Sequence, residues 1–384
     1  MAGEIRLEDG LSVEDPFSMR EIPYSISFIH PADGLETTIL ALARIGPKIL
    51  GHDTTSLVIP SREEKPAYYP KPEFTPDDVK KAVAASTLNS TSIDVLLSSI
   101  MEQREAKEKA NCVFCYPIVE QRTPMPRLHH EGLYTPSGKP VISFPNINPF
   151  EPNHLLTVFA DHATDLAELD YIDMKNYFLS GQQLAQKFRD EGRVGMVDFM
   201  NWGPDAAASV KHPHAQRGTI IEGMRSRYRQ SRQADLFQSL NSSGTNPMEK
   251  MMGIIRDHYT KLFVFENEHI FVYVAFAPSY PDQTEVIFKK GGDLLDFSRS
   301  DLEIAAKSML GVIHGLRRHR GVTDINLVLH QSDFNNGHNG YMMMAVINPR
   351  NKNKVGGIEI GQGVYVIPTL PEATAEALRK HYAG

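Results

Sequence analysis

Apolar and polar positions along this chain follow two rhythms, and the points where one gives way to the other outline its elements. Residues 173–189 place Met174, Tyr177, Phe178, Leu184, Ala185 and Phe188 on one 3.6-residue face and stop at Gly192, which predicts a glycine-terminated helix. Residues 301–316 repeat the pattern, with Ser300 and Glu303 spaced as a capping box. A third helical face, with Leu96, Leu97, Ile100 and Met101, spans 94–109 and delivers the chain to Cys112. Short apolar or alternating runs predict strands at 141–144, 155–159, 196–201, about 216–221, 263–268, 270–277, 285–288, 325–329 and 341–347. Strand, strand, helix, strand, strand therefore occurs twice at a spacing of about 120 to 130 residues. This predicts an α+β fold, a duplicated unit with helices packed on a mostly antiparallel sheet. Residues 1–110 lack that regularity, and five prolines between positions 59 and 76 argue for extended loop there. The pattern predicts a poorly regular N-terminal arm.

Length supports the duplication, because 384 residues exceed one ordinary core at about 150 residues per domain. The expected division is an arm over 1–110, one half over 111–235 and a second half over 250–384. With 41% hydrophobic and 23% charged residues the chain falls in the globular range, which excludes wholesale disorder. Forty basic against 47 acidic residues leave a net charge of -7, which provides no footprint for a nucleic-acid polymer. No apolar run approaches the roughly 20 residues of a membrane span, and residues 1–10 lack a basic, then apolar, export signal. The only cysteines, Cys112 and Cys115, are spaced for a shared metal or a redox pair, as in a reducing compartment. A cytoplasmic location is expected.

The chemistry concentrates in residues 208–216, ASVKHPHAQ. In extended backbone, residues two apart share a side, so His212, His214 and Gln216 line one face, where they suit a phosphoryl group. The same alternation suits a solvated strand face. Cys112 and Cys115 supply two thiolates at zinc-site spacing and require two further ligands. His162 and His212 are the best placed, with His129 and His130 next; a pair of buried thiols without metal is the alternative.

Together, the Cys-x-x-Cys pair, VISFPNINPFEPNHLLTVFADHATDL (141–166), NWGPDAAASVKHPHAQ (201–216) and GGIEIGQGVYVIPTLPEATAEALR (356–379) resemble the galactose-1-phosphate uridylyltransferase family, a branch of the histidine triad superfamily. The likeness extends through FENEHIFVYVAFAPSYPDQTEVIF (265–288) and covers the chain from Thr55 onward, except an apparent insertion between Pro66 and Cys112. It implies a duplicated histidine-triad-like unit in which His214 is the nucleophile, forming a covalent nucleotidyl-histidine on the α-phosphorus of a nucleotide sugar. A neutral imidazole suits that role, since covalent catalysis divides one difficult displacement into two. By the same resemblance Ser209 and Gln216 hydrogen-bond phosphoryl oxygens, and Asn201 with the Gly203 backbone contacts the nucleotide. His212, Cys112, Cys115 and His162 match the ligands of one structural zinc. Arg62, with Lys65 where the family has a second arginine, matches a nucleotide-side element, although Arg62 equally suits a surface loop. Lysine keeps the charge and loses the bidentate fork. Glu359 and Gln362 match sugar contacts, and a homodimer is implied.

The departures are as informative. The family's second metal site uses a His-x-His pair where this chain reads NGYMMMAVINPR (339–350), with Met343, Met344 and Val346; His330 is left as a survivor, so no second metal is expected. After Gln216 come Arg217, Arg225, Arg227 and Arg229, which suit phosphate or carboxylate recognition or a solvated charged helix. Pro204-Asp205 interrupts a run that is small and neutral in the family. The expected activity is transfer of a nucleoside monophosphate, UMP first, from a nucleotide sugar to a sugar 1-phosphate or related phosphorylated acceptor. The alternatives are a dinucleoside polyphosphate or nucleotide-sugar phosphorylase or hydrolase of the same superfamily, and a zinc-stabilised nucleotide-binding protein without turnover.

Overall fold

The computed structural model describes residues 109–146, 153–219, 244, 246–334, 341–350 and 356–383, and the backbone of three strands before them. Arg62, Lys65, Arg225, Arg227, Arg229 and all but the last residue of the helix expected at 94–109 lie outside the described residues. Over the residues they cover, those early strands correct the reading of the N-terminal arm as irregular. They are β1 (Arg20–Ile29), β2 (Glu36–Ile45) and β3 (Thr55–Val58), antiparallel neighbours in that order. Ile22, Tyr24, Ile26 and Phe28 do alternate, but Pro23 interrupts the run. A proline is tolerated there because β1 is the edge strand of its sheet.

The chain forms two compact units, residues 64–123 and the remainder. In the smaller unit the described residues hold Cys112, Cys115 and a short helix, α1 (Ile118–Arg122). In the larger, β4 (Leu128–Tyr134), β5 (Pro140–Pro145), β6 (Leu155–Val158), α2 (Tyr171–Asp190), β7 (Met196–Trp202) and β8 (His214–Thr219) form the first half of a ten-stranded sheet. After α3 (Pro247–His258) the pattern returns as β9 (Phe263–Glu266), β10 (Ile270–Val274), β11 (Thr284–Phe288), α4 (Arg299–Arg320), β12 (Ile325–His330) and β13 (Met344–Pro349). The strand order β4-β5-β6-β8-β7-β12-β13-β11-β10-β9 reads the same from either edge once each strand is replaced by its counterpart. The duplication is thus a two-fold-like sheet whose seam is the antiparallel pair β7 and β12. Finally α5 (Gly357–Gln362) leads to β14 (Val364–Ile367), which runs parallel beside β3, and α6 (Pro371–Ala383) follows.

The helices start where side chains satisfy their first amides. Asp170 caps α2 reciprocally with Asp173. For α4 the cap is Ser298 with Asp301, not Ser300 with Glu303. The earlier frame places Phe297 and Leu302 at the positions of a hydrophobic staple, both in the main core, whereas the later frame would use Arg299.

Each strand presents alternate residues to two faces, and the two faces are covered differently. On one face α2 and α4 pack over Met196, Met200, Trp202, Ala215, Leu327, Leu329, Ala345 and Ile347, which are buried in one core cluster. On the other, the second half is covered by α3, whose Met248, Met251, Met252 and Ile255 form a second cluster with Phe271, Tyr273, Ile287, Met344 and Val346. In the first half that second face carries His214 and Gln216.

Candidate active site

Strand β8 is held between β6 and β7, so its register is fixed on both sides. It begins at His214, two residues earlier than the pattern predicts, and His214 therefore sits in regular strand rather than in the preceding loop. The His214 ring is buried, and its Nδ1 lies 2.8 Å from the His212 carbonyl oxygen. A carbonyl can only accept, so Nδ1 carries the proton of the neutral ring and the lone pair lies on Nε2.

His212 is held the other way round. Its Nε2–H donates to the Ala160 carbonyl at 3.0 Å, which leaves the lone pair on Nδ1. The ligand atoms of Cys112, Cys115, His162 and His212 all lie within 4.8 Å of one another, and the two imidazole rings meet edge to face at 5.3 Å. Two thiolates and two imidazoles are the donor set of a closed tetrahedral zinc site, and a carbonyl on the far ring nitrogen is the usual device that orients such a ligand. The residues fit one metal ion. The segment bearing His162 is pinned on both sides. Asp161 accepts from Thr135 Oγ1, Ser137 Oγ and the Ser137 amide at 2.6–2.8 Å, and Asp165 receives a bidentate Arg317 from α4 at 2.5–2.9 Å. His129 and His130 are not in the ligand cluster. His130 bonds Ser143 and Gln183 on the helix side of the sheet. Burial first, then the nearby Arg217 cation, pushes its pKa down to about 4.

Gln216 extends from the same face as His214. Its Oε1 accepts from His154 Nε2 at 3.1 Å, which turns the amide nitrogen away from His154. His154 is buried, and the sequence marks it only as a histidine just before the LLTV strand. The next residue, Arg217, faces the opposite way. It is fully buried, with Nε on Asp198 Oδ2 at 2.9 Å, one terminal nitrogen on Ser180 Oγ at 3.1 Å and the other on the Tyr177 carbonyl at 2.6 Å. The Tyr177 hydroxyl donates to the other Asp198 oxygen at 2.9 Å. Burial pushes the Asp198 carboxyl up, against the pull of Arg217. Arg217 is therefore a strut from β8 to α2, neither a phosphate ligand nor part of a solvated helix.

Asn201, near the end of β7, stands directly across the seam from Asn326 of β12 and accepts its Nδ2–H at 2.8 Å. Gly203 follows at φ 85°, and a Cβ there would lie 1.9 Å from Asp324 Oδ1, so only glycine fits. The same Asp324 oxygen accepts the Asp205 amide at 3.1 Å. Pro204-Asp205 thus forms a one-turn 3-10 helix over an aspartate of the second half. Ser209 is exposed in the bend before His212. Glu359 is used locally, accepting the Gly356 and Val366 amides at 2.9 and 3.3 Å, and Gln362 is exposed at the end of the same short helix.

Among the described residues, the second half lacks the constellation. Met344 and Val346 occupy the β13 positions corresponding to His214 and Gln216, under the methionines of α3. His330 pairs across from Met344 at the end of β12.

By sequence the chain matches no family model and no curated protein. Among solved structures it is similar to an ADP-glucose phosphorylase from Arabidopsis thaliana with bound ADP-glucose, at TM-score 0.61 and 16% identity over 86% of this chain and 96% of that one. It is also similar to a galt-like protein from Arabidopsis thaliana, at TM-score 0.58 and 18% identity over 70% and 91% of the two chains. A uridylyltransferase mutant gives TM-score 0.56 and 18% identity over 71% and 94%. The chain has the fold of these proteins, mostly antiparallel sheet with packed helices.

Proposed function

We propose that this protein is a nucleotidyltransferase that works through a covalent nucleotidyl-His214. It would move a nucleoside monophosphate, UMP first among the candidates, from a nucleotide sugar to a sugar 1-phosphate or related phosphorylated acceptor. The observation that carries the reading is the His214 ring, whose proton is held on Nδ1 by the His212 carbonyl so that Nε2 holds the lone pair. An imidazole fixed in that tautomer is a competent nucleophile without prior proton transfer. In the first displacement the Nε2–phosphorus bond forms and the bond from the α-phosphorus to the departing sugar 1-phosphate breaks. In the second, a phosphate oxygen of the acceptor attacks the same phosphorus and releases His214. Gln216, its oxygen occupied by His154, would direct its N–H groups at the phosphoryl oxygens as charge develops, with Ser209 as a further donor.

Cys112, Cys115, His162 and His212 would hold one zinc ion, which when bound supplies a rigid tie for the loop before His214 and no open coordination position. Residues 111–235 would be the catalytic half and 250–384 the degenerate half. Arg62, Lys65 and the Gly203 backbone are assigned to the nucleotide, and Glu359 and Gln362 to the sugar, in a homodimer. A second reading keeps His214 and lets inorganic phosphate accept the nucleotidyl group. The similarity to an ADP-glucose phosphorylase over 86% of this chain favours including it. Incubation with UDP-glucose, ADP-glucose or GDP-glucose followed by discharge with galactose 1-phosphate or inorganic phosphate separates the two. Failure of every donor to label His214 counts against both.

A further inference from the structure

Two polar residues of the degenerate half, Asp324 and Asn326, bond the segment from Asn201 to Ala206, and a third, Arg350, bonds Asn326. Asp324 takes the Asp205 amide and closes against Gly203. Asn326 donates to Asn201 Oδ1 at 2.8 Å and to the Ala206 carbonyl at 2.9 Å. Arg350 donates to Asn326 Oδ1 at 3.3 Å, its guanidinium lying 4.5 Å from the centre of the Tyr280 ring.

The chemistry of this chain of bonds fixes its polarity. Arginine can only donate, so the Asn326 atom facing Arg350 is its oxygen. The Ala206 carbonyl can only accept, so the Asn326 atom facing it is the nitrogen. Two independent partners thus agree on the orientation of the Asn326 amide. Both of its N–H groups are committed, one to Ala206 and one to Asn201, so the Asn201 atom it meets must be oxygen. Asn201 is left with its amide nitrogen turned away from the seam.

We propose that Asn326, oriented by Arg350 and Ala206, is a positioning residue that fixes Asn201 as a donor toward the nucleotide. The half that lost its own histidines would then serve the active half by setting the polarity of one nucleotide contact. The ligand group recognised at Asn201 must be a hydrogen-bond acceptor, such as a phosphoryl, ribose or base-carbonyl oxygen. This inference rests on the nucleotidyl-transfer reading above.

Asn326→Asp tests it, because the aspartate keeps the bond from Arg350 but presents Asn201 with an acceptor, which favours flipping of the Asn201 amide. Asn326→Leu leaves Asn201 without an orienting partner. The assay is His214 labelling, followed by intact mass over a range of UDP-glucose, ADP-glucose or GDP-glucose concentrations, whichever labels the wild type. Expected is a rise in the half-saturating donor concentration of about tenfold for Asn326→Asp, the scale of one lost hydrogen bond to a charged group. A smaller rise is expected for Asn326→Leu, and little change for either variant in the labelling rate at saturation. In an Asn201→Ala background, Asn326→Asp should add almost nothing.

A residue that merely supported the loop would show the opposite order, since leucine removes every polar bond and aspartate keeps one. Equal losses in both backgrounds would indicate a through-space charge effect and overturn the proposal, as would unaltered donor saturation in Asn326→Asp. Absence of labelling in the wild type would instead overturn the transfer reading, and this inference with it.

Discussion

Replacing Arg217 with methionine tests whether strand β8 is held from behind by a buried ion pair. The guanidinium makes three bonds at 2.6–3.1 Å, all within a shell that solvent does not reach. In Arg217→Met the Asp198 carboxylate retains only the Tyr177 hydroxyl among those partners. Breaking a buried pair from one side costs about 3–5 kcal/mol, because the remaining charge is uncompensated. Urea denaturation should show that loss as a lower midpoint at unchanged slope. The deficit should depend on pH. Burial already pushes Asp198 up and Arg217 opposes it, so removing Arg217 raises the folded-state pKa further. A carboxyl with a raised folded pKa is unpenalised below its unfolded value near 3.9 and penalised progressively as pH rises. The deficit should therefore shrink as the pH is lowered from 8 to 5. Adding Asp198→Asn should recover much of it, since the stranded charge is gone. His130 provides an independent reporter: without the Arg217 cation its pKa should climb from about 4 yet stay below the ordinary value, because burial is the larger cause. A deficit under about 1 kcal/mol, or one that does not change with pH, would refute the account of Arg217 as a buried strut.

Other expectations are simpler to state. Asp173, buried at the start of α2, has its pKa raised to about 7, mainly by burial, so its ionised form costs stability that is absent below the unfolded pKa and complete above about 7. Asp173→Asn should thus be neutral near pH 4 and stabilise the protein by up to about 4 kcal/mol at pH 8, less whatever capping strength the amide loses; chemical denaturation at the two pH values checks the sign. Gly203→Ala should cost at least about 1–3 kcal/mol, from the positive φ, and more from the collision with Asp324, and should weaken nucleotide binding measured by calorimetry. Metal analysis should find one zinc per chain and none in Cys115→Ser, with slower His214 labelling in that variant; two ions per chain would contradict a degenerate second half.

What the sequence displayed and what it hid differ in range. The duplication was legible because α2 and α4 each fill a full apolar stripe, and the strands around them keep their order. The cluster of Cys112, Cys115, His162 and His212 was legible through motif spacing and resemblance. Arg217 reads in sequence as the first of a series with Arg225, Arg227 and Arg229; only the alternation of β8 shows that it points at α2 while His214 and Gln216 point away. Asp324 and Asn326 lie more than a hundred positions from Asn201, and no local rhythm announces a bond across the seam. The helix α3 covers Met344 and Val346, so the face that carries His214 and Gln216 in the first half is core in the second.

The central claim is the covalent bond to His214, and intact-protein mass tests it most directly. Wild type and His214→Ala would each be exposed briefly to UDP-glucose, ADP-glucose and GDP-glucose and then measured. The account predicts an added nucleoside monophosphate on the wild type alone, its mass naming the base, and its loss when the phosphorylated acceptor or phosphate is supplied. An unlabelled wild type with zinc bound, or an equal increment on His214→Ala, would contradict it.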